Sequence, residues 1–200
     1  MKSGQKKLKI GLIVGKFAPL HKGHQFLIEK ALKKMDKVIV LVYRAPKNIK
    51  ISLKKRVGWL QTLYPTIKVI AGRSAPTERG KNPSIAQKNL TYVKRVIREP
   101  ITHVFSSEKY GEILSRALGA KNVIVDEKRE RFPVSGTAVR LKPEDYKKFL
   151  VPIVYKDLKK NKISRKDDLS TEARRRWIGP CVIFYLFLFF FNGSNLGIFF

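Results

Sequence analysis

Gly15-Lys16-Phe17-Ala18-Pro19-Leu20-His21-Lys22-Gly23-His24 is the stretch on which the reading of the whole chain turns. An apolar run, residues 8–14, precedes it and reads as a buried strand. Phe26-Leu27-Ile28 and Ala31-Leu32 follow it and repeat at helical spacing. The stretch is therefore a strand-to-helix turn, with two histidines three residues apart and glycine on either side. The first amides of a helix have no internal acceptor, and its dipole favours negative charge, so a turn of this kind suits an anion. The plainer reading is an ordinary connection whose histidines are there by chance. The strand on one side and the helix on the other weigh against it.

Outward from the turn, the chain alternates. Residues 38–42 form a second continuous apolar run, as expected of a strand covered on both faces in a parallel sheet. A basic, proline-containing loop over 43–50 leads into a helix over 51–63, with Val57, Leu60 and Leu63 or Tyr64 on one face and Pro65 as its stop. A short strand over 67–70 and a loop over 71–83, rich in Gly, Pro and Ser, come next. The spacing then predicts a helix over 85–98, a strand over 101–105 followed by Ser106-Ser107-Glu108, a helix over 110–118 closed by Gly119, and a strand over 123–125 ending at Asp126. This order argues for an α/β fold with an open, parallel, doubly wound sheet. In such sheets ligands bind beyond the carboxyl ends of the strands, where the strand order reverses. The first and fourth strands are expected to flank that crevice and to bring 15–24 and 106–108 together. His103, before the core of the fourth strand, reads as structural.

A second stretch, Phe132-Pro133-Val134-Ser135-Gly136-Thr137-Ala138-Val139-Arg140, leads into a short helix through Ser-Gly-Thr. It offers two hydroxyls, free amides and a helix dipole, with Arg140 one turn on. The planar fork of an arginine suits phosphate oxygens. By itself the stretch is an ordinary helix cap beside a surface arginine; beside the histidine turn, it reads as a second anion contact.

Bulk properties narrow the class. Two hundred residues allow one domain with some extra length. The 43 basic and 15 acidic residues give a formal charge of +28, which implies attraction to polyanions without saying which. Lysines spread over every segment read mostly as a solvated surface, so a dedicated nucleic-acid role is disfavoured. The single cysteine, Cys181, excludes an internal disulfide and a cysteine-based zinc cluster. No secretory signal is read at the start, and a cytoplasmic location is the expectation.

The two stretches together resemble the paired signatures of the nucleotidylyltransferase superfamily, His-x-Gly-His and Ile-Ser-x-Thr-x-x-Arg, with Val134 where isoleucine is usual. Arg56-Val57-Gly58-Trp59-Leu60, Tyr64-Pro65, Ser106-Ser107-Glu108-Lys109-Tyr110-Gly111 and Val125-Asp126-Glu127-Lys128-Arg129 lie in matching order. With them the chain looks like the adenylyltransferase domain of bifunctional nicotinamide-nucleotide adenylyltransferase/ribosylnicotinamide kinase proteins, over about residues 8–158. The resemblance implies a Rossmann-like nucleotidylyltransferase fold and transfer of the adenylyl group of ATP to nicotinamide mononucleotide, giving NAD and pyrophosphate. Alternatives are the same fold with another acceptor (nicotinate mononucleotide, phosphopantetheine or flavin mononucleotide) and a non-catalytic protein that binds RNA or lipid. CTP-linked transfer to a phosphorylated polyol fits the Arg56–Trp59 helix less well.

By the same resemblance, His21 and His24 contact the triphosphate, with His24 at the α-phosphate, and Lys16 neutralises phosphate charge. Gly15, Phe17, Ser107, Ser135, Gly136, Thr137 and Arg140 belong to the ATP site; Ser107 and Glu108 are placed to touch adenine or ribose, or else to cap the following helix. For the acceptor the candidates are Trp59, whose indole could stack on a pyridinium ring or sit in the core, and Arg56, at the acceptor phosphate or on the surface. Mg²⁺ is expected to arrive with ATP, and no protein metal ligand is assigned. Homo-oligomerisation is left open.

The expected domain limits are 1–158 for the nucleotidylyltransferase domain, 159–176 for a basic linker and 177–200 for an apolar tail. Gly-Lys occurs at Gly15-Lys16 and Gly80-Lys81, neither followed by Ser or Thr, so no phosphate-binding kinase loop is present and no kinase activity is expected. The apolar core of the tail, 178–191, is shorter than the roughly 20 residues of a spanning helix, and Asn192-Gly193-Ser194-Asn195 interrupts it. Arg174-Arg175-Arg176 would suit a cytoplasmic flank. A membrane anchor, an element packed on the domain or a partner, and a remnant of a lost reading frame are the three readings of this tail.

Overall fold

The computed structural model describes residues 8–78 and 83–160. Five strands and six helices alternate: β1 Ile10–Gly15, α1 Lys22–Leu32, β2 Lys37–Tyr43, α2 Leu53–Leu63, β3 Lys68–Gly72, α3 Pro83–Val96, β4 His103–Ser106, α4 Tyr110–Leu118, β5 Lys121–Ile124, α5 Gly136–Leu141 and α6 Pro152–Lys160. One 3₁₀ turn, Lys147–Phe149, precedes α6. The strands form a single sheet in the order β3-β2-β1-β4-β5, and every pairing is parallel. The order reverses at β1, which pairs with β2 on one side (Gly15 opposite Val42) and β4 on the other (Ile13 opposite Phe105). The strand order therefore reverses where it was expected to, between the first and fourth strands.

The sheet is covered on both faces, which is why β1 and β2 read as unbroken apolar runs rather than alternating ones. Ile13, Val40, Val42 and Phe105 face a core closed by Leu27 and Ile28 of α1, Trp59 and Leu60 of α2, Val139 of α5, and Val154 and Leu158 of α6. Leu12, Ile39, Leu41 and Val104 face the other core, closed by Tyr92 and Val93 of α3 and Leu114 of α4. Crossovers β1–α1–β2 and β2–α2–β3 thus lie on one face, and β3–α3–β4 and β4–α4–β5 on the other.

Most boundaries moved by a residue or two. The first strand begins at Ile10, leaving Leu8 exposed. Helix α2 begins after Ser52, whose hydroxyl accepts the amide of Lys55 at 3.2 Å, so a side-chain cap and not apolar spacing sets its start. Strand β5 begins two residues earlier than expected, because Lys121 pairs with His103 on the edge of the sheet. Gly119 closes α4 at φ +62°, as its position implied. Helix α6 was not expected, and it runs across the anticipated limit at 158 to Lys160. The linker and tail readings for 161–200 fall outside the described residues. Among the described residues no helix is long and apolar enough to cross a membrane.

Candidate active site

The turn after β1 is built by close approach. Gly15 has the ring of Phe17 beside it, so a Cβ there would lie 3.1 Å from that ring. Phe17 itself adopts φ +50°, a left-handed conformation that costs a side-chain-bearing residue on the order of 1 kcal/mol. Its buried ring compensates by packing against His24, with centroids 4.9 Å apart. His21, in extended backbone, is the N-cap of α1, and its carbonyl accepts the amides of His24 (2.8 Å) and Gln25 (3.1 Å). The two imidazoles stack with centroids 3.7 Å apart and planes 25° from parallel. Gly23 lets the pair fit, since a Cβ there would sit 3.2 Å from His21 Nδ1.

His21 is only 6% exposed. Burial, aided by the positive charge of Arg129, lowers its pKa to about 3. Burial, the His21 ring and Arg129 hold His24 well below the usual histidine value as well. Both rings are therefore neutral at neutral pH and meet a ligand as hydrogen-bonding imidazoles rather than as cations. The Nδ1 atoms of both are buried without a hydrogen-bond partner. Buried polar atoms left unmatched are uncommon, and here two of them lie on stacked rings in the turn after β1.

The second stretch is fastened to the first. Ser135 caps α5 by accepting the amide of Ala138 at 3.1 Å. Arg140, 9% exposed, donates through Nη1 to the carbonyl of Ala18 and through Nη2 to Thr137 Oγ1 at 3.2 Å. Gly136 passes so near the turn that a Cβ would lie 2.8 Å from the same Ala18 carbonyl. Part of the Arg140 fork is thus occupied in tying Thr137 and Ala18 together, which sequence reasoning had given wholly to phosphate. Ser107 is half-buried at the carboxyl end of β4, where Ser106 Oγ donates to the Glu108 carbonyl at 2.9 Å.

Trp59 and Arg56 depart from the expected acceptor surface. Trp59 is 2% exposed, inside the core of the α1 and α2 face, and its indole N–H donates to Asp157 Oδ2 at 2.8 Å. Arg56 is 1% exposed and lies neither on the surface nor open to an acceptor. Its Nη1 donates to the carbonyls of Lys16 (2.6 Å) and Tyr43 (2.7 Å), and its Nε to that of Ile51 (3.1 Å). Four carbonyls converge there, counting Ser52 at 3.3 Å, and only a planar five-donor head can satisfy such a set. Arg56 thereby sets the path of the turn that carries Lys16. His103 stands opposite Gly11, away from the crevice, with Nδ1 2.9 Å from Thr102 Oγ1.

Sequence reasoning placed 125–129, in the loop after β5, among the matching segments but gave the loop no role at the site. The carboxylate of Asp126 accepts the amides of Arg131 and Phe132, each at 3.2 Å, and so folds this loop toward the histidine turn. Among the described residues no group of three or more His, Cys, Asp or Glu side chains is placed to hold a metal ion.

A five-stranded parallel sheet with this turn at its point of reversal defines a Rossmann-like nucleotidylyltransferase fold. The chain belongs to the cytidylyltransferase-like family, whose profile matches residues 12–142. It is 36% identical over 108 residues to a phosphopantetheine adenylyltransferase of Fusobacterium nucleatum, a match that covers 51% of this chain and 66% of that protein. Among solved structures it is similar to the NadR protein in complex with NAD and AMP-PNP (TM-score 0.53, 23% identity, 72% of this chain and 44% of that one). It is also similar to a bifunctional NMN adenylyltransferase/ADP ribose pyrophosphatase of Francisella tularensis (TM-score 0.51, 15% identity, 94% of this chain and 58% of that one). At such identities the two structures speak to the fold. The chain thus spans just under two thirds of the curated relative and about half of the structural ones.

Proposed function

We propose that this protein transfers the adenylyl group of ATP to nicotinamide mononucleotide, releasing pyrophosphate and forming NAD. The observation that carries the transfer chemistry is the stacked, neutral His21–His24 pair with two unpartnered Nδ1 atoms at the β1–β4 reversal. The acceptor phosphate attacks the α-phosphorus in line while the bond to the bridging oxygen of pyrophosphate breaks. That step needs no covalent enzyme intermediate, so the protein's part is to position two anions and to stabilise charge as it moves. Imidazole N–H groups serve this without a charge change of their own. His24 is assigned to the α-phosphate oxygens and His21 to the neighbouring phosphate, with Lys16 supplying positive charge. Ser135, Gly136, Thr137 and Arg140 are assigned to the β- and γ-phosphates, with Arg140 Nη1 already bound to the turn at the Ala18 carbonyl. Mg²⁺ is proposed to enter on the triphosphate, its ligands mainly phosphate oxygens and water.

The nicotinamide acceptor rests on the order of the motifs along the chain, since Trp59 and Arg56 are interior. A second acceptor, phosphopantetheine, is favoured by the 36% identity to a phosphopantetheine adenylyltransferase. The test is pyrophosphate release by the full-length protein with ATP, Mg²⁺ and either acceptor, beside a His24→Ala control. Release with nicotinamide mononucleotide that disappears in the control supports the reading. Release with phosphopantetheine alone replaces the acceptor, and none with any phosphorylated acceptor removes the function.

A further inference from the structure

The loop between β5 and α5 carries a guanidinium that the transfer chemistry above does not use. Asp126 and Arg129 both have left-handed backbone, at φ +53° and +56°, although neither is glycine. Such residues persist where their surroundings over-determine them. Here the Asp126 carboxylate holds the amides of Arg131 and Phe132, and the Asp126 carbonyl accepts the amide of Arg129 at 2.9 Å. The far end of the loop is fixed by Phe132, whose ring packs on Phe26 of α1 with centroids 5.5 Å apart, and by Arg131 over the same Phe26 ring at 4.8 Å. Arg129 sits on this loop between the end of β4 and the histidine turn. On one side its Nη2 lies 3.5 Å from Glu108 Oε1, at the end of β4, in a pair whose side chains are 43% and 72% exposed. On the other side its charge is felt by both His21 and His24.

Two buried ring nitrogens without partners, near a guanidinium held only by an exposed carboxylate, form a setting that favours an anion. We propose that Arg129 is a triphosphate-binding residue of this site, held by Glu108 when the site is empty and turned onto the phosphates above His21 and His24 when ATP binds. The inference rests on the nucleotidyl-transfer reading and deepens it. The Glu108 pair is exposed to water, which screens it, so it is weak enough to exchange. A fork facing two phosphate oxygens gains more, because it binds them bidentately and meets a greater negative charge than one carboxylate carries.

The experiment measures binding of ATP and of adenosine to the full-length protein by calorimetry. Arg129→Asn removes the guanidinium while suiting the left-handed backbone, which asparagine tolerates. Its expected effect is about a tenfold weaker ATP dissociation constant, as for loss of one bond to a charged group, with adenosine binding within about twofold of wild type. Arg129→Lys is expected to fall between, and Glu108→Gln to tighten ATP slightly by freeing the arginine. Equal ATP affinity in Arg129→Asn and wild type overturns the inference alone. Equal losses for ATP and adenosine also overturn it, because they mark a structural role. Failure of the wild-type protein to bind ATP overturns the inference and the transfer reading together.

Discussion

The side chain of Arg56 ends on the backbone carbonyl of Lys16, 2.6 Å away, and the same nitrogen reaches the carbonyl of Tyr43 at 2.7 Å. One head group thereby binds the turn after β1 to the last residue of β2. Burial lowers the Arg56 pKa only to about 10, so it remains charged at neutral pH.

Arg56→Met should leave those carbonyls without donors and destabilise the fold, at about 1–3 kcal/mol for each buried acceptor left unpaired. Arg56→Lys should recover little, since an ammonium cannot span the converging carbonyls. Urea denaturation checks this, with a lowered midpoint at unchanged slope. ATP affinity should fall alongside stability, because the path of Lys16 depends on the same bonds.

Trp59→Phe separates packing from acceptor contact. Loss of the indole N–H takes one donor from the Asp157 carboxylate and should destabilise by about 1–2 kcal/mol. The KM for the acceptor should stay within about twofold. A large rise in that KM with unchanged stability would return Trp59 to the acceptor site.

The neutral histidines give a signed pH dependence. Their native pKa values lie below the ordinary 6.5, so between pH 6.5 and about 4.5, above the carboxylate range, the unfolded chain binds more protons than the folded one. Stability should therefore be full above pH 6.5 and decline as pH falls, by up to about 1.4 kcal/mol per pH unit for each proton taken up. His21→Asn with His24→Asn should flatten the stability profile in that window. A wild-type profile already flat there would contradict the buried, uncharged pair.

Two glycines should respond in opposite directions. Gly136→Ala puts a methyl 2.8 Å from the Ala18 carbonyl, part of the backbone, so the α5 start or the turn must shift. A cost of about 1–3 kcal/mol and weaker ATP binding are expected. Gly58 lies inside α2, and a Cβ added there would meet nothing within 4 Å, so Gly58→Ala should stabilise by roughly 0.5–1 kcal/mol. Thermal melts of both variants check the pair.

The fold was legible because β1 and β2 are buried on both faces, and Val38 to Val42 can hardly be anything but an inner strand. The turn was legible from Gly15, Gly23 and the two histidines, whose spacing survives as the stacked pair. Arg56 and Trp59 were not, because a pattern of residue types gives a helix face but not which long-range partner occupies it. Arg56 depends on carbonyls of Lys16 and Tyr43, and Trp59 on Asp157, 98 positions away. Arg140 was half legible: its place beside Ser135 and Thr137 follows from the helix, whereas its bond to Ala18 joins positions 122 apart. Arg129 was hidden for a different reason. Its position depends on a left-handed backbone and on the Asp126 carboxylate turning back on its own loop, neither of which periodicity records.

The Trp59–Asp157 bond also has a bearing on synthesis. Chains emerge from the ribosome amino end first, so β1, α1, β2 and α2 are outside long before α6 exists. Until then the indole has no acceptor, and Val154 and Leu158 are missing from the face they close. Central β1 likewise waits for β4, whose flanking Thr102 bonds Ile10 across 92 positions. Non-local closure of this kind slows folding and leaves apolar surface open meanwhile. A nascent chain halted before Asp157 should accordingly be a client for chaperones, and release past α6 should be the moment at which protease resistance sets in.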